Sequence, residues 1–330
     1  MDSITQIPGI LAAHATNAEA GTGCTVILCP KGGGGGVDVR GGAPATRETD
    51  LLRPEETVGV LHAVVLSGGS VFGLASTCGV TEELERAGIG LDVGVSLAPI
   101  VSGACLFDLA VGDPSVRPTA SDGAQATHAA LQERDLPPEQ RSPLARGNVG
   151  AGTGCSVGKF AGPERAMKTG LGDAVEQLGE LTCGAVAAVN ACGDVVDPTT
   201  GSFVAGLLSA DGSRIAGTLN TLLGEAADNF APPIPERTNT TISCVVTNAQ
   251  LSKAQATKVA QMCADAYAHT IFPTHTTSDG DTIFVLSTAE VPAAVDIVGA
   301  LATRALERAI VNAATSARPA YGLKAACDLQ

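Results

Sequence analysis

The chain of 330 residues has no tryptophan, two tyrosines and seven phenylalanines, so aromatic residues make up only 3% of it. Hydrophobic residues nevertheless account for 45% of the sequence. A core of that size must be built from small aliphatic side chains, with glycine-rich backbone segments approaching one another closely. The length exceeds that of an average domain but still fits an α/β fold with one large core.

Positive charge is scarce. The chain has 20 Lys and Arg residues against 34 Asp and Glu, a net charge of −14, and the cations form no basic run. Nucleic acids and anionic membranes require clustered cations, so we expect neither as a partner. No run of apolar residues is long enough to span a bilayer. The N-terminus also lacks the basic and apolar regions of a signal peptide, and we therefore expect a cytoplasmic protein.

Paired cysteine motifs are also missing. The ten cysteines include no Cys-x-x-Cys pair. A disulfide framework of the kind that holds small secreted domains together does not fit so long a chain. We expect buried free thiols in a reducing compartment.

Two glycine-rich runs resemble nucleotide-binding loops without meeting their requirements. Residues 31–36 are a lysine followed by five glycines, but no Gly-Lys-Ser/Thr follows and no helix begins there. This run is predicted to be a flexible hairpin loop rather than a phosphate site. Residues 150–154 have the spacing Gly-x-Gly-x-Gly, and no acidic residue stands about 20 positions beyond a following βα unit, which argues against a dinucleotide site.

The hydrophobic pattern alternates between strands and helices, which indicates the α/β class. Predicted strands cover 25–29, 64–67, 104–109, 185–190, 242–247 and 283–286, and predicted helices cover 81–87, 121–133, 252–268 and 292–315.

Thr240 stands where a polar segment meets a strand. Residues 222–238 are predicted to be an accessible loop, and the three prolines within 231–236 exclude a helix or a central strand there. Residues 242–247 are β-branched and apolar, as a buried strand requires. Thr240 is therefore either the first residue of a strand or a latent nucleophile that a cut before Thr240 would release. Such a cut would create an α-amine with a pKa of about 7.7–8.0, the base that a threonine hydroxyl needs.

Polar residues also stand at the ends of neighbouring strands. Asn190 ends the strand 185–190, where it is either a turn residue or an oxyanion donor. Asp279 and Asp281 precede the strand 283–286. The Asp-Gly-Asp pair has a calcium-binding alternative, but no further ligands follow at loop spacing. His275 leaves open a triad with Ser or Cys, although nothing in the sequence positions one.

Residues 64–74 are predicted to form a strand, a tight turn and a helix. Ser67 and Gly68 lie in this turn, where glycine allows a helix N-terminus to approach a sheet and hold an anion. Simple close packing is the alternative explanation.

From about Ile7 to its end, the chain resembles the self-processing family typified by L-aminopeptidase/D-amidase-esterase, which includes β-peptidyl aminopeptidases and 6-aminohexanoate-oligomer (nylon) hydrolases. The stretches that carry the resemblance are 37–42, 64–74, 147–159, 185–190, 237–248 and 278–286.

The resemblance implies a single domain spanning 1–330, folded as a four-layer αββα sandwich of the N-terminal-nucleophile type. It implies self-cleavage between Asn239 and Thr240 into an α chain of 1–239 and a β chain of 240–330. It also implies tetramers of such α/β pairs, and neither a metal nor an organic cofactor.

The resemblance further implies the roles of several residues. Thr240 is the expected nucleophile and Asn190 the oxyanion donor, Lys159 supplies positive charge, and Asp279 and Asp281 orient the amine or the hydroxyl. Ser67, Gly68 and Phe107 are expected to line the substrate pocket. Some relatives carry tyrosine in place of Phe107, so any role of that hydroxyl is lost here.

The residues around the expected cut, 239–243 and 246–248, look most similar to the nylon-oligomer hydrolases. We therefore expect an amide-bond hydrolase acting on 6-aminohexanoate oligomers. An aminopeptidase or amidase acting on small peptides, β-peptides or amino-acid amides is the alternative. A binding protein that retains Thr240 without catalysis is a third possibility.

Overall fold

The computed structural model describes residues 2–228 and 239–329. The β-strands in this part of the chain are β1 Leu11–Asn17, β2 Thr22–Val39, β3 Thr46–Arg47, β4 Leu61–Ser67, β5 Leu91–Asp92, β6 Leu97–Ala98, β7 Val101–Cys105, β8 Ser156–Val157, β9 Met167–Lys168, β10 Leu171–Leu178, β11 Leu181–Asn190, β12 Asp194–Val196, β13 Phe203–Ala205, β14 Thr240–Ala249, β15 Ile271–Phe272 and β16 Thr282–Val291. The α-helices are α1 Ser76–Arg86, α2 Ala120–Leu131, α3 Thr218–Asp228, α4 Lys253–Thr270 and α5 Val295–Thr315.

The long strand β2 belongs to two half-sheets. Its first half pairs antiparallel with β1 and β4, and β7 and β3 extend this first half-sheet. Its second half pairs antiparallel with β16, and β14, β11 and β10 extend the second half-sheet. The pairs β4–β7 and β14–β16 are parallel, and the other pairs in the two half-sheets are antiparallel.

Three hydrophobic cores separate four layers. Between the half-sheets lies an inner core that includes Ile27, Leu66, Val186, Ile242 and Phe284. The outer face of the first half-sheet packs on α1 and α2, and the outer face of the second packs on α4 and α5. Successive residues of each strand alternate between these cores, as the two-residue period of a strand requires. The predicted αββα sandwich is confirmed.

The glycine run is part of β2, so the predicted hairpin loop at 31–36 is wrong. A β-carbon on Gly36 would lie 2.5 Å from the backbone of Ala256 and Thr257 in α4. A β-carbon on Gly35 would lie 2.9 Å from the side chains of Leu52 and Leu61. The glycines therefore bring a helix and neighbouring side chains against the strand, a long-range requirement that local sequence does not reveal.

The predicted loop at 222–238 begins later than expected, because α3 continues to Asp228. The buried carboxylate of Asp194 accepts hydrogen bonds from the Thr218 main-chain N–H at 2.5 Å and from its hydroxyl at 2.8 Å. A carboxylate at this position stabilises the start of a helix. Asp194 lies 24 residues earlier in the chain, so this cap could not be recognised locally. The rest of the predicted loop lies outside the described residues.

The strand predicted at 242–247 is present as β14 and begins at Thr240. The predicted helices at 252–268 and 292–315 are present as α4 and α5, and the Ser252 hydroxyl caps α4 by accepting a hydrogen bond from Gln255 N at 3.3 Å. The strand predicted at 104–109 ends earlier, at Cys105. Among the described residues, no helix is long and apolar enough to cross a membrane.

The packing of α4 on β2 can be tested at Gly36. Gly36→Ala places a methyl group against the backbone of α4, which cannot yield without moving the helix, and we expect a loss of about 1–3 kcal/mol in the free energy of unfolding. Gly59→Ala is the control, because no atom lies within 4 Å of the added carbon, and its change should stay within about 0.5 kcal/mol. Urea unfolding measures both variants, and equal stabilities would contradict this account of the glycine.

Candidate active site

Thr240 and Asn190 face each other across two strands. They form the last registered pair of the antiparallel strands β11 and β14. Along each strand, successive side chains point alternately to the helix-covered face and to the inner core. Asn190 and Thr240 both fall on the inner-core side. Asn190 is completely buried and Thr240 is 4% exposed. The predicted nucleophile and oxyanion donor are therefore brought together.

The carbonyl group that precedes Thr240 has two hydrogen-bond donors. The Thr240 hydroxyl donates to the Asn239 carbonyl oxygen, and the Gly280 N–H donates to the same oxygen at 3.1 Å. Asn239 also forms a parallel bridge with Asp279. This carbonyl is thus polarised and lies beside a hydroxyl group.

The side-chain amide of Asn190 has a defined orientation. Its Oδ1 accepts a hydrogen bond from Ser156 N at 3.0 Å, and its Nδ2 donates to the Phe107 carbonyl oxygen at 2.7 Å. A main-chain N–H requires an acceptor and a carbonyl requires a donor, so the amide cannot be flipped. The NH₂ group therefore lies on the side of Phe107.

Lys159 holds the end of β11. Its ammonium group donates to the main-chain oxygen of Asn190 at 2.7 Å. Burial lowers the pKa of Lys159 to about 8. Four neighbouring groups act in the opposite direction and raise it: Cys192, Cys155, Asp279 and Asp108. Burial disfavours the charged form of a lysine, and the nearby carboxylates favour it. The lysine predicted from the sequence thus contacts the last residue of β11, which pairs in register with Thr240.

Both oxygens of Asp281 are occupied by donors. Oδ1 accepts from Thr241 N at 2.7 Å. Oδ2 accepts from the Thr274 hydroxyl at 3.2 Å and from His275 N at 3.1 Å, and it pairs with His275 Nδ1 at 2.8 Å. This carboxylate fixes the first residues of β14 to the loop before β16.

Asp279 is engaged on one oxygen only. Its Oδ2 accepts from the main-chain N–H and the hydroxyl of Thr276 at 2.8 and 2.6 Å. Oδ1 is buried and has no hydrogen-bond partner among the described residues. Burial and the neighbouring charge of Asp281 raise the pKa of Asp279, while the Thr276 bonds and Lys159 act in the opposite direction.

Ser67 and Gly68, at the end of β4, lie next to the segment that contains Phe107, since Leu106 N donates to Ser67 O at 2.8 Å. Ser67 pairs in register with Cys105, and Phe107 follows two residues later. Asp108 ties the turn together, because its oxygens accept from the Thr22 hydroxyl and from Gly69 N, each at 2.7 Å. A β-carbon on Gly68 would lie 2.0 Å from the Asp108 carboxylate, so glycine is required by close packing.

Sequence reasoning missed three contributors to this site: Gly280, Ser156 and Asp108. Gly280 and Ser156 act through their main-chain N–H groups, which leave no sequence signal. Asp108 could have been suspected, because it closely follows a buried strand beside the Ser-Gly-Gly-Ser turn. Burial raises the pKa of Asp108, and its hydrogen bonds oppose this shift.

Two alternatives from the sequence receive no support from these contacts. His275 is hydrogen-bonded to Asp281, and its Nε2 has no partner in the described part of the chain, so no Ser or Cys is bonded to it. Both Asp281 oxygens are filled by N–H and O–H donors rather than directed at an open cation site. Within 2–228 and 239–329, no group of three or more metal-ligating side chains is clustered.

The sequence of the whole chain was compared with protein families and with individual proteins. The model of peptidase family S58 matches residues 2–327. An uncharacterised aminopeptidase of Mycobacterium leprae is 38% identical over 100% of this chain and 94% of its own length. A 6-aminohexanoate-oligomer endohydrolase of Agromyces sp. is 32% identical over 86% of this chain and 74% of its own length.

Solved structures show the same fold at lower identity. A β-aminopeptidase of Burkholderia sp. aligns with a TM-score of 0.65 at 23% identity, over 96% of this chain and 87% of its own. The L-aminopeptidase D-Ala-esterase/amidase of Ochrobactrum anthropi, a variant of the N-terminal-nucleophile hydrolase fold, aligns with a TM-score of 0.66 at 19% identity, over 96% of this chain and 86% of its own.

The fold and these relatives define the protein as a hydrolase of peptide or amide bonds. More particularly, the chain belongs to peptidase family S58, as the resemblance in its motifs predicted.

The pair formed by His275 and Asp281 predicts a pH-dependent stability. Burial lowers the pKa of His275, but the hydrogen bond and charge of Asp281 outweigh burial and leave the pKa above 6.5. A raised pKa in the folded state adds stability below the unfolded pKa, and this stability is lost as the pH rises through the folded pKa. The pair should therefore stabilise the fold at mildly acidic pH, where His275 is protonated. At alkaline pH, where His275 is neutral, this stabilisation should be absent.

His275→Asn should remove this contribution, because asparagine tolerates the left-handed backbone (φ 55°) at this position without carrying a charge. The free energies of unfolding of the parent and the variant, measured with urea, should differ more at about pH 5.5 than at about pH 9. An equal difference at both pH values would contradict the assignment.

Proposed function

We propose that the protein is a self-processing amide hydrolase whose nucleophile is Thr240. Folding would be followed by a cut between Asn239 and Thr240, which leaves an α chain of 1–239 and a β chain of 240–330. The mature enzyme would then hydrolyse small amides through the freed Thr240.

One observation carries this proposal: the Thr240 hydroxyl lies against the Asn239 carbonyl, whose oxygen also accepts a hydrogen bond from Gly280 N at 3.1 Å. An attacking oxygen next to the carbonyl, together with a donor on the carbonyl oxygen, is the arrangement that an intramolecular acyl shift requires.

In the proposed maturation step, Thr240 Oγ1 forms a bond to the Asn239 carbonyl carbon, and the bond from that carbon to Thr240 N breaks. The hydroxyl proton moves to the departing nitrogen, which becomes the α-amine of the β chain. Water then hydrolyses the ester, giving a carboxylate on Asn239 and restoring the Thr240 hydroxyl. The Gly280 N–H stabilises the negative charge on the Asn239 oxygen, and in this proposal the Asn190 NH₂ group, opposite Thr240 in register, assists it.

In the proposed catalytic cycle, Thr240 Oγ1 attacks the carbonyl carbon of the substrate amide. The α-amine of Thr240 accepts the hydroxyl proton and passes it to the leaving amine, so that an acyl ester remains on Thr240. Water activated by the same amine releases the acid product. The Asn190 NH₂ group stabilises the oxyanion, and Lys159 adds positive charge to the site.

The two carboxylates would have different tasks. The oxygens of Asp281 are both occupied, so Asp281 positions β14 through Thr241 N. Oδ1 of Asp279 is buried without a partner among the described residues and lies beside the strand that begins at Thr240. An unpaired buried carboxylate oxygen is costly, and the ammonium group created by the cut would satisfy it. We therefore assign Asp279 to hold the new α-amine.

Thr240→Val should abolish both self-cleavage and amide hydrolysis, because it removes the nucleophile while keeping the shape of the side chain. Thr241→Val is the matched control: the Thr241 hydroxyl has no hydrogen-bond partner in the described structure, so its removal should leave both activities intact. Intact-mass spectrometry of purified protein decides the cleavage. A Thr240→Val variant that still yields a chain starting at 240, or a parent chain that stays whole and inactive, would contradict the proposal and favour a binding protein.

We further propose that the cleaved pairs assemble as tetramers and work in the cytoplasm. Large apolar side chains are exposed on several segments, including Val95 (94%), Leu223 (61%) and Leu178 (59%), and contact with another copy of the chain would remove such surface from water. The ten cysteines are all unpaired, as in a reducing compartment. Light scattering of the samples used for mass spectrometry would reveal a monomeric pair, which would contradict the assembly.

The proposed substrates are linear 6-aminohexanoate oligomers, with amino-acid amides as the second candidate. Phe107 is partly exposed beside the Asn190 amide and offers an apolar ring rather than a phenol. An apolar wall suits a chain of methylene groups. The endohydrolase relatives favour the oligomers, and the more similar aminopeptidase relatives favour the amides.

A side-by-side assay of the mature enzyme on 6-aminohexanoate oligomers and amino-acid p-nitroanilides tests this preference. We expect oligomer cleavage to be faster, and Phe107→Tyr to lower the ratio of oligomer to anilide kcat/KM by about tenfold, since one added hydroxyl makes the wall polar. Release of p-nitroaniline without oligomer cleavage would reject the oligomer substrate and leave an aminopeptidase.

A further inference from the structure

Lys168 is a completely buried cation away from the nucleophile. Its ammonium group donates to the main-chain oxygens of Gly152, Cys155 and Thr169 at 3.2, 3.0 and 2.5 Å. No carboxylate within the described residues forms an ion pair with it. Burial lowers its pKa to about 8, with Cys155 and Asp108 opposing the shift. Burying an unpaired ammonium group is costly, so its three carbonyl partners must serve some purpose.

These carbonyls hold a turn that leads directly to the site. Gly152 and Cys155 belong to the glycine-rich run 150–155, and the next residue, Ser156, pairs in register with Lys168. The Ser156 N–H is the donor that orients Asn190 Oδ1, at 3.0 Å. One ammonium group thus fixes the segment that supplies this donor.

A second connection runs from the same lysine to β11. Thr169 N donates to Cys155 O at 3.1 Å, and the Thr169 hydroxyl donates to Val189 O at 2.5 Å. Val189 is the residue before Asn190. The turn and the end of β11 are therefore joined through residues 168 and 169, so that the donor and the amide it orients move as one body.

We propose that Lys168 is a positioning residue: it holds the turn at 152–155 so that Ser156 N–H fixes Asn190 Oδ1 and keeps the Asn190 amide in its orientation opposite Thr240. This inference depends on the proposed role of Asn190 as oxyanion donor. Without the ammonium group, three carbonyl oxygens lose their shared partner and the turn relaxes. The Asn190 amide then loses the restraint on its Oδ1 and keeps the one from its Nδ2 to the Phe107 carbonyl. Lys168 itself touches neither substrate nor nucleophile.

The test compares Lys168→Met with Lys253→Met. Lys253 is a matched control, because its ammonium group also donates to three main-chain oxygens, those of Leu51, Glu56 and Val58 at 2.9, 2.8 and 3.1 Å. Lys168→Met should lower the first-order rate of self-cleavage and the kcat on amino-acid p-nitroanilide by about tenfold or more, with KM changed by less than about threefold. Lys253→Met should keep the parental kcat even where its melting temperature falls.

Self-cleavage is followed on denaturing gels with precursor made by cell-free synthesis, so that this readout needs no substrate. Lys168→Gln, which retains two N–H donors, is the second variant if Lys168→Met does not fold, and it should show a smaller loss in the same direction. A folded Lys168 variant with parental kcat and parental self-cleavage rate would overturn the proposal.

A double-variant cycle with Asn190→Ala separates positioning from general structural support. If Lys168 acts through Asn190, adding Lys168→Met to Asn190→Ala should cost less than about twofold in self-cleavage rate. A loss equal to that in the parent background would mean that Lys168 acts independently of Asn190, and the proposal would be wrong. Parental rates in Asn190→Ala alone would instead reject the oxyanion role of Asn190 and, with it, this inference.

Discussion

The pairing register of β11 with β14 is the constraint on which the site depends. Both strands are buried on both faces, so a slip of one residue would move every side chain between the inner core and the helix-covered face. This register sets Asn190 opposite Thr240. The parallel register of β14 with β16 then sets Gly280 N–H on the Asn239 oxygen and the Asp281 carboxylate on Thr241 N. Backbone pairing thus brings three separate segments together at the start of β14.

The helix layer adds a second constraint to the same place. Tyr267 of α4 is completely buried, and its hydroxyl contacts the Ser243 hydroxyl at 2.9 Å and donates to Thr241 O at 3.1 Å. Its ring stacks on His275 at 5.6 Å, and His275 pairs with Asp281. Since α4 reaches the sheet only because Gly36 lacks a side chain, the close packing in β2 and the position of the Asp281 carboxylate are physically linked.

Local pattern predicted the parts of the molecule that local forces determine. The start of β14, the Ser252 cap of α4 and the amphipathic α5 follow from β-branching, capping and helical period. The layer order came from the family resemblance. The glycines of β2, the Asp194 cap of α3 and the donors from Gly280 and Ser156 escaped prediction, because each depends on a partner brought near by the tertiary fold and on main-chain atoms that every residue type shares.

A chain so poor in cations buries Lys159 at this site and Lys168 behind the turn that leads to it, and their environment explains how they remain charged. Asp279 and Asp108 raise the pKa of Lys159 against the effect of burial, and Lys159 in turn lowers the pKa of both carboxylates. Each buried charge therefore reduces the cost of the others, a network that removal of any one member would unbalance. Burial brings the pKa of both Lys159 and Lys168 to about 8. In the proposed mechanism, the positive charge of Lys159 disfavours protonation of the freed Thr240 α-amine and so helps to keep that amine neutral enough to act as a base.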